Sequence, residues 1–336
     1  MAFLLSRGCW GEEHSINSQW MPFLDKARKL AAITRAKTTT AKYLYNFKRF
    51  KTWCDRLEVT NAFPASAEVV GFFLTKVAEE AKSHSALLGQ VSAIKWAHKL
   101  CGYNDPTLTG IPAAIIEGAK RSILRQTVAK LPITVDMLEK IVTNCCSSEC
   151  SLRDWRFGTM AVLAFAGFFR IAELRVLKFS DLVINKDYIL AKLPRSKTDV
   201  YGKGEEVLVS KSLSEGKIPI VSIVQKYAEI SGHQLNSTAF MFRNLSPDGK
   251  CFSSGNKPII YSRARHELQC YFKFLGWDFK NFGWHSFRRG GATCAAQGGV
   301  EIRLVQRHGR WKTVKSMNKY VIPSIKEKIE VTRRMI

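Results

Sequence analysis

The segment "KYLYNFKRFKTWCDRL" (42–57) puts Tyr43, Phe47, Phe50, Trp53 and Leu57 at helical spacing, behind the capping candidates Thr38 to Thr40. "SAEVVGFFLTKVAEEA" (66–81) predicts a second helix, opening at Ser66 just after Pro64. A third, "SALLGQVSAIKWAHKLCG" (85–102), carries Leu87, Val91, Ile94 and Cys101 on one stripe and stops at Gly102, a residue suited to the position after a helix end. A fourth fits "PAAIIEGAKRSILRQ" (112–126). Short links between the four predict a compact helical domain over 21–126, with the aromatic stripe as its core. Lys48, Arg49, Lys95, Lys120, Arg121 and Arg125 are left for an outer, basic face. Residues 1–20 show no period and are expected to form a flexible arm.

"TVAKLPIT" carries a proline and ends in a capping threonine, so 127–133 reads as a linker and Thr134 as the start of a second domain, 134–322. Helices are expected at 135–146 and 152–166, followed by "RIAELRVLKFSDL". "YILAKL" (188–193) and "EEVLVS" (205–210) have strand character, and the polar "PRSKTDVYGKG" between them predicts a hairpin or meander with a long basic tip. Helical pattern returns at 219–231, 261–275, 285–297, 300–308 and 313–321. The fold class is mainly α in two domains, the second an α+β domain with one small antiparallel sheet. Beyond Pro323, residues 323–336 can form a short amphipathic helix whose stripe of Ile325, Ile329 and Ile336 is too small to be a core of its own.

Length and composition sharpen this picture. A chain of 336 residues has room for two domains, and 46% apolar with 24% charged residues is the balance of a folded protein. Fifty-two Lys and Arg against 28 Asp and Glu give a net charge of +24. That surplus points to a polyanionic partner, with affinity that falls steeply with salt. A ribosome- or membrane-associated basic protein is the blander alternative. Nine scattered cysteines, odd in number, read as free thiols in a reducing compartment. Cys145, Cys146 and Cys150 lie close together, but without a paired Cys or His group they read as a helix end rather than a metal site. No apolar run reaches the ~18 residues of a membrane span, and the start does not look like a signal peptide, so a soluble intracellular chain without membrane contact is expected.

Four fragments of the second domain carry chemistry. "AGFFRIAEL" holds Arg170 and Glu173, "PRSKTD" holds Lys197, "HSFRRGG" holds His285 and Arg288, and "GRWKTVKSMNKYV" holds Trp311 and, nine residues on, Tyr320. Each alone is weak: Arg170 could simply pair with Glu173, Arg288 could be solvated, and a lone helical tyrosine is usually packing. The order Arg, Lys, His-x-x-Arg, Trp, Tyr is far more specific. It resembles the tyrosine recombinases, the integrase family of phage, bacteria and eukaryotic mobile elements, over roughly 134–322. The helical first domain and linker are similar to that family's core-binding domain and interdomain joint. Trp rather than His before the tyrosine resembles the Cre and Flp branch, and the overall sequence looks more like recombinases of eukaryotic crypton- or DIRS/Ngaro-type elements.

The resemblance implies a site-specific recombinase that cleaves DNA through a covalent 3′-phosphotyrosyl bond at Tyr320, without nucleotide cofactor or metal. The chemistry agrees with it. Two guanidiniums suit the non-bridging oxygens of a pentacoordinate phosphorus, making Arg170 and Arg288 the clamp. His285, one helical turn before Arg288, serves as general base or third donor. Trp311 offers one indole N–H, and Lys197 is the general acid for the departing 5′ oxygen, with Lys203 its competitor. Glu173 supports the site, with His285 as its expected partner, and His308 lies beside Trp311. Arg289, Arg310, Lys312 and Lys203 are expected to face DNA. Gly290 and Gly291 would let the helix approach DNA or another helix closely. The expected partners are duplex DNA with paired recombination sites and, on it, a homo-tetramer. The free chain would be a monomer or weak dimer, acting in the nucleus as a C-shaped clamp. A type IB topoisomerase and a non-catalytic DNA-binding descendant are the alternatives.

Overall fold

The computed structural model describes residues 1–11, 18–108, 110–123, 129–193, 204–323, 329–330, 332–333 and 335. The chain divides into two units, Met1–Thr127 and Val128–Ile336. In the first, α1 (Met21–Ala32), α2 (Lys37–Arg56), α3 (Ala67–Glu80), α4 (His84–Leu100) and α5 (Gly110–Ser122) form a bundle in which α2 packs on α4 and α3 on α5. The aromatic stripe is the core, as the spacing predicts: Phe47, Phe50, Phe73 and Trp96 are buried there. Ser66 caps α3 by accepting from the Val69 amide. Asn46 donates to the Gly89 carbonyl at 2.9 Å and accepts from Gln90 at 3.2 Å, tying α2 to α4.

The expected flexible arm is corrected over residues 1–11. Leu4 is buried in the bundle core, the Cys9 amide donates to the Cys101 carbonyl at 3.0 Å, and the Trp10 indole donates to the Leu100 carbonyl at 2.5 Å. Large apolar side chains in a segment without period found a partner surface instead of a helix of their own.

The second unit is built around α7 (Leu152–Ala166), which follows α6 (Val135–Cys145). Ser151 and Asp154 form a reciprocal capping box that starts α7, and nearly every α7 residue is buried. After α8 (Ile171–Leu174) come β1 (Leu182–Ile184), β2 (Tyr188–Leu193) and β3 (Glu205–Ser210), an antiparallel sheet in that order. Ile189, Ala191 and Leu193 pair with Val209, Val207 and Glu205. The alternating buried positions of β2 and β3 face the core. The remaining helices are α9 (Ile220–Ile230), α10 (Tyr261–Phe274), α11 (Trp284–Gln297), α12 (Ile302–His308) and α13 (Val314–Met317). Among the described residues, no helix is long and apolar enough to cross a membrane.

Two details of this unit position the site. The expected linker is packed from residue 131 on: the Leu131 amide donates to the Asn281 carbonyl at 2.8 Å and the Ile133 amide to the Ser286 carbonyl at 3.0 Å. The paired glycines of α11 serve helix packing, the second of the two readings. A Cβ at Gly290 would lie 2.1 Å from the Ile133 carbonyl oxygen, and one at Gly291 would lie 2.1 Å from that of Phe165, on α7. Only glycine lets α11 come this close, and that closeness brings Arg288 to the end of α7.

Candidate active site

Arg288 enters from α11 with no exposed surface and donates through Nη1 to the Phe168 carbonyl and through Nη2 to that of Gly309. It therefore joins the turn after α7 to the turn after α12. Both turns hold a non-glycine residue in the left-handed region, Phe168 (φ 48°) and Arg310 (φ 57°), where strain persists only under firm constraint. Above the guanidinium lie two rings, Trp311 at 4.5 Å and Tyr320 at 5.3 Å from its carbon, themselves 5.2 Å apart. Gly309 makes this possible, because a Cβ there would overlap the Trp311 ring.

Tyr320 lies in the turn just after α13, so the helix expected over 313–321 is cut short at Met317. Thr313 caps that helix, and Met317, Trp311 and Phe168 form an apolar cluster against which Tyr320 packs. Thr293 Oγ1 donates to the Tyr320 carbonyl at 3.1 Å and itself accepts from the Ile322 amide at 3.1 Å. The tyrosine is thus pinned to the helix that carries Arg288 in the same chain. His285, exposed at the start of α11, has its ring 6.4 Å from that of Tyr320.

Arg170 stands at the N-cap of α8 and donates to Glu173 through Nη1 at 2.5 Å and through its backbone amide at 2.8 Å. Glu173 is buried, and its other contact is Arg310 Nη2 at 2.8 Å. The expected partner of Glu173, His285, is replaced by these two arginines. Burial pushes the Glu173 carboxyl up, but the Arg310 and Arg170 charges outweigh it and hold its pKa below the usual carboxylate value. Burial, then the Arg170 and Arg310 charges, push the Arg288 guanidinium from its ordinary value down to about 9, with Glu173 opposing. Arg170, Arg288 and Arg310 against Glu173 and Glu205, the latter 3.6 Å from Arg310, leave positive charge in surplus. Two buried donors, Trp311 Nε1 and Arg288 Nε, have no hydrogen-bond partner among the described residues. Unpaired buried donors beside surplus positive charge suit an anion.

Other expected site residues fall into place differently. His308 donates through Nε2 to the Ala166 carbonyl at 2.8 Å; a carbonyl can only accept, so that nitrogen carries the proton. Burial lowers its pKa, with the Arg310 and Arg288 charges adding to it, so the ring is a neutral brace beneath Phe168. Arg310, expected to face DNA, is corrected: it is 8% exposed and bound to Glu173. Arg289, half-buried, donates to the Lys130 carbonyl at 3.0 Å. Arg288 is not the solvated cation of the blander reading, because it is fully buried with the Trp311 and Tyr320 rings against its guanidinium. Lys312, Lys48 and Arg121 are exposed. Arg49, Lys95 and Lys120 pair with Glu80, Asp105 and Glu117 at the surface. Lys197, Lys203 and Arg125 lie outside the described residues.

Residues 132–326, more than half of the chain, match the model of the phage integrase family. The chain is a member of that family. The integrase/recombinase XerD homolog of Selenomonas ruminantium is 26% identical over 301 residues, covering 88% of this chain and 84% of that protein. The Cre recombinase of Escherichia phage P1 is 20% identical over 288 residues, covering 82% and 80%. Among solved structures, the XerH site-specific recombinase in its post-cleavage complex with a palindromic difH substrate matches with a TM-score of 0.61 at 13% identity, over 97% of this chain and 86% of that one. As a phage integrase family protein, the chain is a tyrosine-type site-specific recombinase, and the cluster around Arg288 is its candidate active site.

Proposed function

We propose that this integrase cleaves and rejoins DNA strands through a covalent 3′-phosphotyrosyl intermediate at Tyr320. The observation that carries the reading is the tyrosine ring held 5.3 Å from the buried Arg288 guanidinium, next to the unpartnered indole N–H of Trp311. The phenolic oxygen attacks the phosphorus, the bond to the 5′ oxygen breaks, and that oxygen leaves with a proton supplied by Lys197. His285 takes the phenolic proton. Arg170, Arg288 and Trp311 stabilise the charge that gathers on the non-bridging oxygens. Phosphate entry lifts Tyr320 off Arg288, which frees the Nε of Arg288 and the indole N–H to the incoming oxygens. Because Tyr320 is tied to α11 of its own chain, cleavage is in cis: tyrosine and arginines come from one protomer.

The basic surplus supports a grip on duplex DNA, and the family resemblance supports a homo-tetramer on paired sites. The resemblance to crypton- and DIRS/Ngaro-type recombinases supports service to a mobile element, its integration or excision, in a nucleus. The test begins with selection of bound duplexes from a random pool. A nicked duplex bearing the selected site should give a denaturation-resistant adduct with the wild type and none with Tyr320→Phe, which still binds. Lys197→Ala should be slow on normal DNA and restored when the bridging oxygen is sulfur, a leaving group that needs little protonation; restoration of Lys203→Ala instead would reassign the acid. Mixed Tyr320→Phe and Arg288→Ala protomers should gain no activity from each other. Relaxed plasmid without strand-exchanged product would indicate a topoisomerase, and binding without any adduct a non-catalytic protein.

A further inference from the structure

Position 310 holds an arginine at φ 57°, a left-handed conformation that favours glycine. A side chain that stays in such a conformation is held by its contacts. The Arg310 guanidinium meets Glu173 Oε2 at 2.8 Å and Glu205 Oε2 at 3.6 Å, and donates to the Gly167, Phe168 and His308 carbonyls at 3.3 Å each. Glu173 is shared: the same Oε2 accepts the Arg170 amide at 2.8 Å, while Oε1 takes Arg170 Nη1 at 2.5 Å. One carboxylate therefore sits between a buried arginine and the partly exposed arginine of the active site.

Resting on the reading of this site as a phosphate-cleaving centre, we propose that Arg310 is a positioning residue. By occupying one oxygen of Glu173, it restricts that carboxylate to a single-point hold on the Arg170 guanidinium, so that the rest of the Arg170 fork is left for the scissile phosphate. Without Arg310, Glu173 turns both oxygens onto Arg170 in a bidentate pair and draws it off the phosphate. Arg310 itself touches no DNA, because it is buried beneath the turn that carries Trp311. Nothing in the motif order singled it out, since an arginine in a chain of net charge +24 reads as surface.

The test uses the full chain and the site-bearing nicked duplex. Glycine accepts φ 57° freely, so Arg310→Gly keeps the turn and removes only the side chain. Its single-turnover rate of adduct formation should fall about 100-fold, the scale of a misplaced catalytic group, while DNA affinity changes less than about two-fold, as for a side chain with no phosphate contact. Arg310→Lys should recover about ten-fold of that loss, because it keeps the charge on Glu173 but not the fork. The double variant Arg310→Gly/Glu173→Gln should be no slower than the slower single variant, since both act through one contact. An unchanged adduct rate, a fall in affinity that matches the fall in rate, or additive losses in the double variant would each overturn the proposal. Should thermal melts show that Arg310→Gly does not fold, Arg310→Lys and Arg310→Gln take its place, and equal rates for those two would overturn it. Absence of adduct from the wild type strikes instead at the reading of the site itself.

Discussion

Glu173 is the carboxylate that Arg170 and Arg310 share, so its charge is the residue-scale feature with the clearest consequence for stability. Its folded pKa lies below the ordinary carboxylate value of 4.5. The stability it contributes is therefore fully present above that ordinary value and is lost as pH falls through the lowered folded one. Glu173→Gln removes the carboxylate that Arg170 and Arg310 share and leaves Arg310 the more distant Glu205 at 3.6 Å, which should cost about 3–5 kcal/mol at neutral pH. The gap between variant and wild type should narrow as pH falls below 4.5. Denaturant unfolding from pH 7 to pH 3 measures both, and a gap that stays constant with pH would remove the charge from the explanation. Arg170, Arg288, Trp311 and Tyr320 were legible in the sequence because their chemistry is tied to order and spacing, and the structure brings them together. Arg310 was not legible: one-dimensional pattern says nothing of which cation a buried carboxylate will claim. A signal did exist in Glu173, an acid in an apolar stretch that had to find a partner.

Among the elements, the approach of α11 to α7 decides where Arg288 stands. Gly291→Ala would place a methyl 2.1 Å from the Phe165 carbonyl oxygen, forcing the helices apart. A loss of about 1–3 kcal/mol, the usual cost of overpacking, is expected, together with loss of adduct formation as Arg288 shifts. Gly118, on α5, offers the contrast: nothing lies within 4 Å of its Cβ position, so Gly118→Ala should stabilise the chain by about 0.5–1 kcal/mol. Thermal melts of the two variants check both signs. Periodicity gave β2 and β3 to the residue and most helices to within a residue or two, because their buried faces repeat. It missed α1, a strongly basic stretch, and β1, only three residues long and paired as Ile184 with Ile189 across a tight turn. It overran α13, since the apolar spacing of Met317, Tyr320 and Val321 reflects docking onto Trp311 and Phe168 rather than a continued helix.

For the whole molecule the open question is how chains meet, and the second unit supplies an argument. Phe165, Leu208, Leu213, Ala295, Val300 and Leu304 line an apolar groove in which Leu208 is 56% and Leu304 49% exposed. Ile329, on the C-terminal stripe, is 44% exposed. Contiguous exposed apolar surface marks an interaction site more often than it marks nothing. The sequence expectation of an apolar stripe at Ile325, Ile329 and Ile336 and the exposed apolar groove would repeat on every protomer. Passing the stripe from each chain to the groove of the next is a heterologous contact, and it forms a ring when the rotation closes, as it would across two paired DNA sites. The proposed tetramer on paired sites would use such a link, and the proposed cleavage in cis would leave residues 324–336 to supply it. Deleting residues 324–336 should therefore leave affinity for a single site unchanged and abolish the two-site complex. Leu304→Glu, which puts a charge into the groove, should do the same from the other side. Native gel shifts and sedimentation on one-site and two-site duplexes separate the two effects. If the truncated chain still assembles on paired sites, the link between protomers lies elsewhere on the molecule.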